Sequence, residues 1–288
     1  MKFDKNTKIL IVGLGLIGGS YAKALSDEGY FVGAIDKKKS SVEYALKNGL
    51  IRVGETSVKK DFVKDFDLIV FALYPHDFIN WIKEYQSSIK SGALITDVTG
   101  VKSFVVENVQ KILRGDLEFV GAHPMAGKEV SGVENADPKI FVGANYIVTP
   151  TKRNTDENVQ AVKDLGRALG FERISSLSPE EHDETVGFLS HLTHCIAVSV
   201  MVSKKSHHLA EYTGDSFRDL TRIAKINDEM WSELFLANKD ELLKQMDLFE
   251  EKFNQLKEDI KNDNREKIRE TLRESTARRK VFDKDAKE

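Results

Sequence analysis

Two groups of residues in this chain have types and spacings suited to chemistry. The first is Gly13-Leu14-Gly15-Leu16-Ile17-Gly18-Gly19-Ser20, which follows the apolar run Ile9 to Val12 and opens a helix-like stretch ending near Glu28. A second strand-like run, Tyr30 to Ile35, ends on Asp36. Between a strand and a helix, such a turn binds a pyrophosphate. Gly13 permits the tight turn, Gly15 lets backbone approach the phosphates, and Gly18 lets the helix pack on the strand. The N–H groups around Leu16 and Ile17, with the helix dipole, hold the anion. A carboxylate at Asp36 suits the ribose diol of NAD and repels the 2′-phosphate of NADP. Leu73, ending the strand candidate Asp67–Leu73, joins this NAD-binding set. The run Lys37-Lys38-Lys39 reads as a solvated loop, not a 2′-phosphate site.

The second group centres on His123, in Gly121-Ala122-His123-Pro124-Met125-Ala126-Gly127. It stands just past the strand candidate Glu118–Ala122. Ligands of open α/β sheets bind beyond the carboxyl ends of the strands, so this histidine should face the cofactor. A neutral imidazole there can take a proton from a hydroxyl while hydride leaves the same carbon. The alternative is a loop histidine that only caps backbone.

The elements that must position these residues alternate along the first half. Strand candidates are Lys8–Val12, Tyr30–Ile35, Asp67–Leu73, Ala93–Val98, Glu118–Ala122 and Asn145–Thr149, with Phe171–Ser175 as a last edge strand. Helices are expected at 40–47, 77–89, 104–113 and 155–169. This alternation predicts a doubly wound, parallel Rossmann sheet over residues 1–176. At Ser178-Pro179-Glu180-Glu181 an N-cap, a first-turn proline and a capping-box acid open a long helix running to about Ser203. Its apolar stretch from Cys195 to Val202 predicts burial on most sides, at the centre of an all-helical domain over residues 177–288. Leu242, Met246, Phe249, Phe253, Leu256 and Ile260 form a heptad-like seam. A partner helix is needed there, and a second subunit is favoured over an internal one, giving a homodimer. The charged tail from Asp263 is expected to be at most partly helical.

The chain has 288 residues, net charge −3 and one cysteine, Cys195. That length allows about two domains. The charge gives no global field for nucleic acid or membrane partners. A single cysteine excludes an internal disulfide and fits a reducing, cytoplasmic setting. Within its apolar run, Cys195 is expected to be a buried thiol. No apolar stretch is expected to reach the length of a membrane span, and no signal segment is read at the N-terminus.

His123-Pro124-Met125-Ala126-Gly127, followed by Glu129 and Ser131-Gly132, resembles the signature of the prephenate/arogenate dehydrogenases of tyrosine biosynthesis. Further blocks agree in order: Glu181-His182-Asp183 before Ser190-His191-Leu192-Thr193-His194, then Thr213 to Ala224, then Met230-Trp231 with Asn238-Lys239. The resemblance implies NAD-dependent oxidative decarboxylation of prephenate to 4-hydroxyphenylpyruvate. It implies that His123 takes the proton of the ring 4-hydroxyl and that Arg222 pairs with a substrate carboxylate. It further implies that His194 contacts substrate, that Asp219 and Trp231 close the site from this or a neighbouring subunit, and that Glu129 gates its mouth. By spacing alone Trp231 could equally be core. Two departures stand out. Many members carry Asp-x-x-Ser-Val-Lys, the serine supporting the catalytic histidine, where this chain has Asp97-Val98-Thr99-Gly100-Val101-Lys102. Thr99 is the candidate stand-in. Thr193 replaces a proline, which removes an expected kink.

Three functions remain open from sequence: a prephenate dehydrogenase, an arogenate dehydrogenase giving tyrosine directly, and an NAD-binding dimer that has lost catalysis. A metal site is disfavoured, because His182, His191 and His194 match no standard ligand spacing. His207 and His208 read as contacts to free carbonyls near a helix end, and Arg218 as a partner of Glu229 or Asp219. With no mutase segment before Met1 and no regulatory domain after Glu288, inhibition by tyrosine is expected to act at the active site.

Overall fold

The structure is a computed structural model and describes residues 1–205 and 208–282. Its first sheet has six parallel strands in the order β3-β2-β1-β4-β5-β6. These are β1 (Lys8–Val12), β2 (Phe31–Ile35), β3 (Val53–Glu55), β4 (Leu68–Phe71), β5 (Leu94–Asp97) and β6 (Glu118–Phe119). Ile9 and Ile11 of β1 pack into one core, with α1 (Leu16–Asp27) and α2 (Lys39–Lys47). Leu10 and Val12 pack into another, followed by α3 (Lys60–Val63) and shared with α4 (Pro75–Tyr85) and α5 (Ser103–Ile112). Alternate residues of one strand therefore enter opposite cores, as a doubly wound sheet requires. The short edge strand β3 and the four-residue α3 were not foreseen, since neither carries a full period of apolar residues.

The run Glu118–Ala122, expected as one strand, is two. β6 ends the first sheet, and after Val120 the chain enters a second sheet as β7 (Gly121–Pro124). There it runs antiparallel to β8 (Asn145–Thr149), which pairs in parallel with β9 (Arg173–Ser176) beyond α6 (Asp156–Ala168). His123 thus lies within a strand, opposite Ile147, and not just past one. An unbroken apolar run gives no sign of such a change of sheet.

The capping box at Ser178 and Glu181 forms as expected and opens α7 (Pro179–Val186). A π-helical turn, Gly187–Leu192, leads into α8 (Thr193–Val202). Burial on most sides does not follow: of α8 only Ala197 is fully buried, and Val202 is 73% exposed. Among the described residues, most of its apolar side chains are left at least partly uncovered. An 18-residue stretch within Pro179–Val202 has mean hydropathy 1.6, so this helix is long and apolar enough by composition to cross a membrane, which corrects the expectation that no such stretch exists. Cys195 is half-buried, with burial pushing its thiol pKa up. His207 lies outside the described residues. His208 pairs with Glu211, not with carbonyls, and Arg218 pairs with Asp215, one turn earlier on α9 (Asp215–Thr221). Then come a short turn, Arg222–Ala224, and α10 (Asp228–Ala237).

Two compact units divide the chain, residues 1–239 and 240–288. Nearly all of the second is α11 (Lys239–Lys261) and α12 (Arg265–Arg279), joined by Asp263 in the left-handed region at φ 52°. The expected seam lies on α11, where Met246, Phe249, Phe253 and Ile260 are exposed.

Candidate active site

The glycine-rich turn has the geometry its spacing predicts. Gly13 has φ +99°, and a Cβ there would lie 2.4 Å from the Ala72 carbonyl oxygen. Its nearest side-chain neighbour is Leu73, at 3.0 Å from the same point. A Cβ on Gly18 would meet the Gly13 carbonyl at 2.0 Å, so only glycine allows this packing of α1 on the turn. At Gly15, the N-cap of α1, a Cβ would meet nothing within 4 Å, and no side chain caps the helix. That open face, with free N–H groups at Leu16 and Ile17, is where phosphates would approach. Asp36 accepts the Leu14 N–H at 2.6 Å and the Lys38 N–H at 2.7 Å, one on each oxygen. Each oxygen keeps a further lone pair, which a ribose diol can use. The residues present fit a dinucleotide.

His123 is held by a histidine that the sequence reading did not place in the site. Its Nδ1 lies 2.9 Å from Nε2 of His182, and His182 Nδ1 lies 2.8 Å from Oδ1 of Asp183. The Asp183 carboxylate also accepts the N–H groups of Lys102 and Ser103, each at 2.8 Å. These bonds fix the tautomers. A carboxylate can only accept, so His182 carries its proton on Nδ1 and presents a lone pair at Nε2. His123 must then carry its proton on Nδ1, which leaves Nε2 as the free base. That nitrogen faces Gly100, where a Cβ would sit 3.8 Å from it and 3.5 Å from the Leu234 methyls.

Burial lowers the pKa of His123 well below the usual value of 6.5, and His182, Lys102 and His191 add to this. Burial also lowers His182, against the opposing bond to Asp183. For Asp183 burial acts upward, but the donors around it win and its pKa is lowered. The His123 imidazole is therefore neutral at physiological pH.

Thr99 is not brought to His123. Its hydroxyl donates to the Asp97 carboxylate, with the Val101 carbonyl at 3.0 Å, and it accepts from Lys102 at 3.1 Å. The hydrogen bond to His123 expected of Thr99 is made instead by His182, 59 residues along the chain. The adjacent His182-Asp183 pair was a usable sequence signal, since a carboxylate beside a histidine can fix its tautomer.

The helical side of the site is organised by α10. Leu234 reaches the Gly100 corner, and Trp231, one turn earlier, stacks on His194 with ring centroids 3.7 Å apart. His194 donates from Nδ1 to the Ser190 carbonyl at 2.8 Å, so its Nε2 is free. Burial lowers its pKa, while Glu129 and Arg222 act on it in opposite directions. His191 packs edge-on against Trp231 and Phe235, and burial takes its pKa down to about 4. Arg222 donates to Glu129. Asp219 is exposed and joins no ion pair among the described residues, so it is not gathered into this group. No group of three potential metal ligands occurs among the described residues.

A Rossmann sheet with a dinucleotide turn and a tautomer-fixed histidine, faced by helices that carry Arg222 and His194, is the arrangement of a nicotinamide-dependent dehydrogenase. Comparison with known proteins makes this specific. The nucleotide-binding domain of prephenate dehydrogenase matches residues 21–173, and its dimerization domain matches residues 178–274. The chain is 34% identical to a Bacillus subtilis prephenate dehydrogenase over 249 residues, 83% of this chain and 66% of that protein. It is 32% identical to a Lactococcus lactis prephenate dehydrogenase over 257 residues, 86% and 70% of the two. The Aquifex aeolicus prephenate dehydrogenase, solved with hydroxyphenyl propionate and NAD+, superposes with a TM-score of 0.88 at 34% identity, covering 96% of this chain and 98% of that one. The chain belongs to the prephenate dehydrogenase family, a family of NAD-dependent oxidoreductases.

Proposed function

We propose that this chain oxidatively decarboxylates prephenate to 4-hydroxyphenylpyruvate, with NAD as acceptor. The observation that carries this reading is the chain Asp183–His182–His123, which presents the Nε2 lone pair of His123 toward Gly100. NAD, held by Gly13, Gly15, Leu16, Ile17, Gly18, Asp36 and Leu73, supplies the hydride acceptor. His123 Nε2 takes the proton of the 4-hydroxyl as hydride leaves C4. Carbon dioxide departs from C1, its bonding pair makes the ring aromatic and ends on the C4 oxygen, and His123 returns the proton to that oxygen. The driving force lies in the substrate, so the protein need only orient, accept a proton and neutralise carboxylates.

Arg222 is the partner for a substrate carboxylate, and in the free protein it is engaged by Glu129. Substrate entry then means exchange of one carboxylate for another at the same guanidinium, which gives Glu129 its gating role. His194 bonds substrate through Nε2, with Trp231 fixing the ring plane. Asp219 closes the site only when substrate or a second subunit draws it in.

The working form in this reading is a cytoplasmic homodimer, with catalytic labour divided near residues 176 and 177. The exposed apolar faces of α8 and α11 support a second copy as their cover. A membrane is disfavoured for the helix Pro179–Val202, because His191 and His194 in its apolar part pack against Trp231, and Asp183 near its start is committed to His182.

The test is NADH formation by the purified chain with prephenate or arogenate. Turnover of prephenate that His123→Asn lowers by about 10²–10⁴-fold, with NAD affinity retained, is the expected result. Turnover of arogenate alone overturns the substrate assignment. Silence with both, while NAD still binds, overturns the reaction.

A further inference from the structure

We propose that the buried Asp97–Lys102 ion pair is the positioning device of the base, gripping the residue before His123 by both of its main-chain groups. This rests on His123 being the base, as proposed above. Lys102 and Asp97 are both fully buried. The Lys102 ammonium lies 2.6 Å from Asp97 Oδ2 and donates to the Ala122 carbonyl at 2.5 Å. The other Asp97 oxygen accepts the Ala122 N–H at 3.1 Å.

The location gives these bonds their purpose. The ladder of the first sheet reaches Val120, whose N–H donates to the Ile95 carbonyl at 3.0 Å. Two residues later the chain belongs to the second sheet, with Ala122 opposite Val148. Across that change of sheet a strand would lose its register with β5. Two side chains, one from the end of β5 and one from the start of α5, replace the missing ladder at Ala122. His123 follows immediately, so its ring inherits the position they set.

A neutral pair could make the same hydrogen bonds without the desolvation cost of two buried charges. What the ammonium adds is positive potential at the two imidazoles. His123 faces His182 from α7, His191 from the π-helical turn and Lys102 from the α5 side. His182 faces Lys102 on one hand and Asp183 and Asp97 on the other. Lys102 itself is surrounded by Asp97 and Asp183, and burial still lowers its pKa. The lysine thus holds the strand in place and keeps the relay unprotonated.

The experiment is Lys102→Met in the full chain, followed by turnover, NAD affinity and nitrogen-detected titration of the histidine side chains. With NAD affinity retained, kcat should fall by at least about tenfold. The His123 ring should titrate higher by about half a pH unit or more. A variant with wild-type kcat and an unmoved His123 titration overturns the proposal. Because methionine leaves Asp97 buried and unpaired, Asp97→Asn/Lys102→Met is the second variant. The amide oxygen it introduces can still accept the Ala122 N–H, but the Ala122 carbonyl has lost its donor, so kcat should remain low. Full turnover by this folded double variant overturns the proposal. Loss of NAD binding in both variants also overturns it, because the pair would then hold the whole sheet and not the base in particular. The titration needs no substrate, so wild-type silence toward prephenate would count against the proposed reaction and leave this measurement standing.

Discussion

Asp183→Asn is the most direct perturbation of the proton relay, because it removes a charge and leaves a side chain of equal size. The carboxylate reaches His123 through two hydrogen bonds, of 2.8 and 2.9 Å, with one imidazole between them. That places the negative charge about 8 Å from the ring that becomes cationic when the base takes its proton. At an effective dielectric of about 20, a charge pair at about 8 Å interacts by about 2 kcal/mol. Losing it should slow the chemical step about 30-fold. A second effect adds to this one. The substituted amide can donate as well as accept, so the tautomer of His182 is no longer fixed, and in the wrong one His123 cannot present its lone pair at Nε2. The expected loss in kcat is therefore about 30-fold at the least, with KM for prephenate changed much less. The amide must also face the N–H groups of Lys102 and Ser103, which the carboxylate meets with one oxygen each. One of them will meet an NH₂ group, at a cost of about 1–3 kcal/mol in stability. Steady-state NADH production and a thermal melt read the two effects separately. A folded Asp183→Asn protein with kcat within about twofold of wild type would refute the relay, since charge and tautomer would then be uncoupled from the base.

Two further outcomes follow from the site. Arg222→Gln should raise KM for prephenate about 10- to 100-fold with kcat little changed, as expected for a charge-assisted carboxylate contact. Glu129→Gln should lower KM, by no more than about fivefold because the pair it relieves is solvent-exposed; a raised KM would remove Glu129 from the gating role. Acid should destabilise the fold through His191, whose pKa falls from 6.5 in the unfolded chain to about 4. A group depressed in this way contributes stability above pH 6.5 and loses it as pH falls. Between pH 6.5 and 5 the loss should be about 2 kcal/mol from His191 alone, readable by denaturant titration and reduced in His191→Asn.

The dinucleotide turn was legible in the sequence because each of its glycines answers a local need: the positive φ of Gly13, the open face of Gly15 and the tight packing of Gly18 are all set within one strand–helix unit. His123 was legible as a kind of residue in a kind of place. Its setting was not, because the apolar run from Phe119 to Ala122 looks the same whether it serves one sheet or two. His182 was hidden by distance along the chain, although its neighbour Asp183 and the Glu181-His182-Asp183 block were both hints. Thr99 misled for a related reason. A hydroxyl two residues from Asp97 is captured by that carboxylate, and nothing in the spacing reveals that Asp97 is buried. The exposure of α8 was also illegible, since an apolar helix reads alike whether its cover lies within the chain or outside it.

The π-helical turn at Gly187–Leu192 ties the length of its helix to the chemistry at either end. A π turn holds about one residue more than an α turn, so it re-phases everything after it by about 100°. His182 and Asp183 lie before it, and His194 lies after it. Deleting one residue within 187–192 would restore regular winding, keep the first pair in place and swing His194 off Trp231. Insertions and deletions are ordinary in the loops of such a protein. Within these six residues they would pull the His182–Asp183 pair and the His194–Trp231 stack out of step.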